Sequence, residues 1–118
     1  MPAYAIAHLR RVNVGPAIVE CLQCIDATLD PYGGRFLIHG GRAEELEGSF
    51  RDDLIVIEFP NRENAHAWYA GPEYQEILHL RTDNADGETF IIDGVPDRYR
   101  AADILAKLVP SSNVVSSP

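Results

Sequence analysis

Apolar and polar positions alternate over residues 3–12. Ala3, Ala5, Ala7 and Leu9 fall on one side and Tyr4, Ile6, His8 and Arg10 on the other, which is the period-two pattern of a strand. Gly15-Pro16 interrupts it, with Pro16 suited to the first position of a helix. Ile18, Leu22, Ile25 and Leu29 then recur at helical spacing and predict one buried stripe ending before Pro31. Gly33-Gly34 leads into a strand over 35–39. Gly40-Gly41 permits a bend or bulge, after which 42–47 is expected to continue extended and 48–53 to turn. The run 54–59, Leu-Ile-Val-Ile-Glu-Phe, is β-branched and stopped by Pro60. Asn61 caps a helix carrying Ala65, Trp68 and Tyr69. Gly71-Pro72 breaks it, and a second short helix carries Ile77, Leu78 and Leu80. Asp86-Gly87 is expected to turn the chain into a strand over 88–93, and a weaker helical pattern follows Pro96.

The order β-α-β-β-α-β, with right-handed crossovers, predicts an α+β fold of ferredoxin-like type: a four-stranded antiparallel sheet with the helices on one face. Strand parity then asks what covers the other face. Phe36, Ile38, Ile55, Ile57, Phe59, Phe90 and Ile92 are expected to face the helices. The opposite parity presents Arg35, Leu37, His39, Leu54, Val56, Glu58, Thr89, Ile91 and Asp93. Such a face is too apolar at its middle to stand in water, and its economical cover is a second copy. The expected assembly is a homodimeric α/β barrel joined through the open sheet face, with a ligand cavity between the sheets.

Composition narrows the function more than the fold. The 118 residues make one domain, and a formal charge of −8 without a basic run argues against nucleic-acid and anionic-membrane partners. No stretch approaches the roughly 20 apolar residues of a membrane span, and no signal peptide is evident at the N-terminus. With two cysteines, a cytoplasmic location is the expectation. Cys21 and Cys24 match C-x-x-C, but Cys21 lies inside the helix, where no N-terminal dipole activates it. The histidines share no metal-ligand spacing, so neither metal nor cofactor is expected.

Glu58, on the face a second copy would cover, is the first candidate general acid or base, against a structural ion pair with Arg35. His39 shares its parity and is the second catalytic candidate, against a hydrogen-bonded histidine at a bulge. Arg35 and Arg42 could anchor a carboxylate-bearing ligand or pair with the plentiful acids. Tyr69 and Tyr74, with polar tips, suit a pocket for an aromatic metabolite, whereas Trp68 suits the core. Arg81 and Asp93 complete the candidate ligand-binding set.

The segments Tyr32-Gly33-Gly34-Arg35-Phe36-Leu37, Gly40-Gly41, Val56-Ile57-Glu58-Phe59-Pro60, Ala67-Trp68-Tyr69, Pro72-Glu73-Tyr74-Gln75, Arg81 and Asp93-Gly94 together resemble the DUF1330 family of the dimeric α+β barrel superfamily. The resemblance covers roughly residues 3–95. It implies a ferredoxin-like protomer over 1–96 and a barrel-forming homodimer. Outside it, Ile104, Leu105 and Leu108 predict a helical extension at 97–109, and the Ser- and Val-containing residues 110–118 are expected to be disordered. The resemblance implies no particular reaction. Superfamily relatives include cofactor-free monooxygenases, lactone isomerases, polyketide cyclases and haem-handling proteins, and fold analogy alone does not choose among them. The expected function is a cofactor-free enzyme of isomerase, cyclase or monooxygenase type acting on a small metabolite. The alternative is a non-catalytic ligand-binding or structural homodimer.

Overall fold

The computed structural model describes residues 1–108. The strands are β1 (Ala3–Val12), β2 (Arg35–His39), β3 (Asp53–Phe59) and β4 (Ala85–Asp93). The helices are α1 (Pro16–Leu29), α2 (Arg62–Ala70), α3 (Pro72–Thr82) and the single turn α4 (Leu105–Leu108). The sheet order is β2-β3-β1-β4 with every neighbouring pair antiparallel. This is the ferredoxin-like arrangement, and within one chain the sheet is open. The expected disorder of 110–118 and the last residue of the expected 97–109 extension lie outside the described residues.

Local chemistry explains most boundaries. Pro16 opens α1, and Asn61 caps α2 by accepting from the Asn64 backbone N–H at 2.8 Å. Gly71 separates α2 from α3, and Pro72 sits at the first position of α3. Gly33, at φ 75°, takes the left-handed turn that ends a short 3-10 segment and admits β2. The core joins Leu29 of α1, Ile57 and Phe59 of β3, Ala65 and Trp68 of α2, and Tyr74 of α3.

Several sequence expectations change on contact with the fold. On α1, Cys21 is buried and Leu22 is half-exposed, so the stripe is Ile18, Cys21, Thr28 and Leu29 with Ile25 partly covered. Segment 42–47 forms no strand and belongs to the loop between β2 and β3. Strand β4 begins at Ala85 and includes Asp86-Gly87, with a register shift opposite Leu9 and Arg11. Pairing of Ala5 with both Ile57 and Ile91 places Ile91 on the helix-facing side, together with Thr89 and Asp93. Phe90 and Ile92, expected under the helices, occupy the open face and are about half-exposed.

Strand β2 carries the other reversal. Arg35 pairs with Glu58 and Phe36 with Ile57, but Ile38 pairs with Val56 and His39 with Ile55. The unpaired Leu37 is a bulge, and it moves every later side chain to the opposite face. Ile38 therefore joins the open face, and His39 leaves it to stack on Phe36, ring centroids 4.6 Å apart.

Candidate functional site

A cavity of about 360 Å³ lies between the helix-facing side of the sheet and helices α1–α3. Its origin is visible in β1. Ala5 and Ala7, at the middle of the sheet, fill little of the space beneath the helices, and Ile55, Ile57 and Ile91 border the gap they leave. Ile25 contributes from α1. On α2, Arg62, His66 and Tyr69 recur at spacings of four and three, so one stripe of the helix lines the cavity beside buried Trp68. Helix α3 adds Tyr74 and Arg81.

The aromatic wall is a packed cluster. Trp68 and Tyr74 stack with centroids 4.2 Å apart, and Tyr69 lies 5.6 Å from Tyr74. The Trp68 Nε1–H donates to Thr28 Oγ1 at 2.9 Å, and that hydroxyl donates to the Ile25 carbonyl at 2.6 Å. Burial pushes the Tyr74 phenol above its ordinary value, and Arg81 opposes the shift. Arg81 Nε donates to Tyr74 Oη at 3.3 Å, which leaves the phenolic proton available to a ligand. Beyond Arg81 lies a wider polar recess of about 660 Å³ lined by Arg10, Thr82, Asp86 and Gly87; it shares Tyr69, Arg81 and Thr89 with the inner cavity.

Of the residues expected to bind ligand, Tyr69, Tyr74 and Arg81 meet at this cavity. Asp93 stands beside it, accepting from Arg62 Nε at 2.9 Å. Glu58 and Arg35 lie on the opposite, open face, where Arg35 Nε donates to Glu58 Oε1 at 2.8 Å. His39 is turned away from Glu58 by the bulge, and Arg42 is exposed in the loop after β2. Neither lines the cavity, and the expected Glu58–His39 pair is not assembled. The cavity itself occupies the covered face of the sheet, whereas the expectation put it at the open one. Arg62 and His66 went unselected in the sequence, although their spacing beside Trp68 marks the stripe of α2 that borders the sheet.

Cys21 is buried within α1, and burial raises its thiol above the ordinary range, opposite to the shift a redox cysteine needs. Among the described residues no cluster of three or more His, Cys, Asp or Glu is placed to hold a metal, and no helix is long and apolar enough to cross a membrane.

Comparison with known proteins identifies the fold and the family. No curated protein sequence matches the chain. A protein of unknown function from Rhodopseudomonas palustris superposes with a TM-score of 0.59 at 17% identity, covering 80% of this chain and 83% of the other. A dimeric ferredoxin-like protein of unknown function from Jannaschia sp. CCS1 gives 0.59 at 14% identity, covering 81% and 100%. SnoaB, a cofactor-independent oxygenase from Streptomyces nogalater, gives 0.57 at 10% identity, covering 84% and 98%. The family described as a domain of unknown function, DUF1330, matches residues 2–95, and the chain belongs to that family.

Proposed function

We propose that the protein is a small-metabolite enzyme of isomerase, cyclase or monooxygenase type that works without a bound cofactor, and that its chemistry takes place in the cavity between sheet and helices. The carrying observation is the lining: an apolar floor and an aromatic wall, with an imidazole, two phenols and two guanidinium groups along the sides. Its volume falls within the range of small-molecule sites. A planar, largely apolar metabolite suits the floor and wall. His66 is the group to take a proton from an activated C–H or O–H, and Tyr69, three residues further along α2, the group to hydrogen-bond the resulting oxyanion. The likeness to SnoaB supports this class by fold analogy alone.

The protein works as a homodimer in this reading, paired through the open sheet face as a dimeric α/β barrel. Exposed Ile38, Phe90 and Ile92 on that face support it, as does the dimeric ferredoxin-like neighbour. Glu58 and Arg35 then serve the seam rather than the chemistry.

Two measurements test the proposal. Trp68, the single tryptophan, borders the cavity, so its fluorescence reports ligand entry. Binding of planar aromatic ketones and acids should shift that signal, and Ala5→Leu, which fills the floor, should abolish the shift while the chain stays folded. Unchanged binding by Ala5→Leu would move the site elsewhere. Incubation of enolisable aryl ketones in heavy water should incorporate deuterium faster with wild type than with His66→Ala. Binding without exchange or turnover would favour the non-catalytic dimer.

A further inference from the structure

We infer that the ligand is an amphipathic carboxylate whose apolar body fills the inner cavity and whose carboxylate is held at the mouth by Arg81 and Tyr74. This rests on the cavity being the functional site and adds the substrate class.

The two cavities have opposite character and one hinge. The inner one has a floor of alanine and isoleucine side chains; the outer one is lined by Arg10, Thr82 and Asp86, and Tyr69, Arg81 and Thr89 border both. A ligand spanning them must change from apolar to polar at Arg81. The arginines differ in whether they already have an anion. Arg62 is 2.9 Å from Asp93, and Arg10 is bound to Glu88. Arg81 is only partly exposed, and its one side-chain partner among the described residues is the neutral Tyr74 hydroxyl. In a chain of net charge −8, a guanidinium that has met a phenol rather than a carboxylate is an anion site held ready.

Tyr74 makes the site directional. Its oxygen accepts from Arg81, and burial keeps its proton in place, so the phenol O–H and the guanidinium N–H groups not bonded to it are neighbouring donors. A carboxylate can accept from both; a neutral amide or ester gains little from the charge.

The test compares cinnamate with cinnamamide, of nearly the same shape, by calorimetry and Trp68 fluorescence. Wild type should bind cinnamate about tenfold or more tighter, as expected for a charge-assisted hydrogen bond. Arg81→Gln should abolish that preference while leaving cinnamamide affinity within about twofold, and Arg81→Lys should recover part of it. Tyr74→Phe should reduce the preference less than Arg81→Gln. Equal binding of both compounds by folded wild type would overturn the carboxylate assignment and leave the cavity as the site. Binding of neither would overturn both. A cinnamate preference that survives Arg81→Gln would place the anion on another residue and equally overturn this inference.

Discussion

Tyr74 carries two duties that act on the same proton. Its ring is a core element, 4% exposed and stacked on Trp68, while its hydroxyl reaches Arg81. Burial disfavours the phenolate, so the folded phenol ionises above its ordinary value and Arg81 only partly offsets this. The unfolded chain therefore loses this proton first as pH rises. The stabilising contribution is fully present below about pH 10 and is lost as pH climbs toward the folded value. Chemical denaturation across alkaline pH should show a declining limb that Tyr74→Phe reduces. Tyr32, half-buried and donating its hydroxyl to Glu73, shifts in the same direction and should leave a remainder. An identical limb in the variant would mean that the Tyr74 hydroxyl is better solvated than its position between Trp68 and Arg81 implies.

Elements form where residue chemistry is local, and they shift where partners decide. Asn61, Pro16 and the Gly71-Pro72 break act on their own neighbours, so helix starts were legible in the sequence. The β2 bulge depends on β3: nothing in Arg35-Phe36-Leu37-Ile38-His39 announces that Leu37 lacks a partner. Extending strict alternation through it put His39 on the same face as Glu58, and the shared assignment of the two followed from that. In β4 the same kind of non-local fact governs Gly87. A side chain there would run into the backbone of His8 and Leu9, so the glycine serves close strand approach rather than the expected turn. Gly87→Ala should force β1 and β4 apart at this end. A loss of about 1–3 kcal/mol in urea unfolding is expected, together with faster amide exchange at Ala7 and Leu9 than at Ala3. Unaltered stability would show that the strand pair yields without cost. The choice of Tyr69, Tyr74 and Arg81 rested on polar tips around the Gly71-Pro72 break and on the helix end, so a mistaken strand register left it untouched, and all three border the cavity.

At the scale of the molecule, the proposed assembly and the proposed ligand binding fall on the two different faces of the sheet. The covered face holds Ala5, Ala7 and the cavity. The open face holds Tyr4, Ile6, Ile38, Val56, Phe90 and Ile92, with the Arg35–Glu58 pair toward one end. Ile38, Phe90 and Ile92 are each more than 40% exposed in the single chain, an apolar area that a second copy would remove from water. Val56, paired with both Ile6 and Ile38, sits among these residues and is only partly exposed. An aspartate there would put a charge among apolar neighbours at the centre of the proposed seam, at a cost in desolvation. Val56→Asp should therefore sediment as a monomer where wild type sediments as a dimer, and raising the protein concentration should restore little of the dimer. Because the cavity opens on the other face, the variant should still bind a planar aromatic ligand at Trp68 with affinity within a few-fold of wild type. A variant that stays dimeric would place the interface away from this face. A monomer that has lost ligand binding would mean that assembly shapes the cavity through the sheet, tying together two roles that the proposal puts on opposite sides.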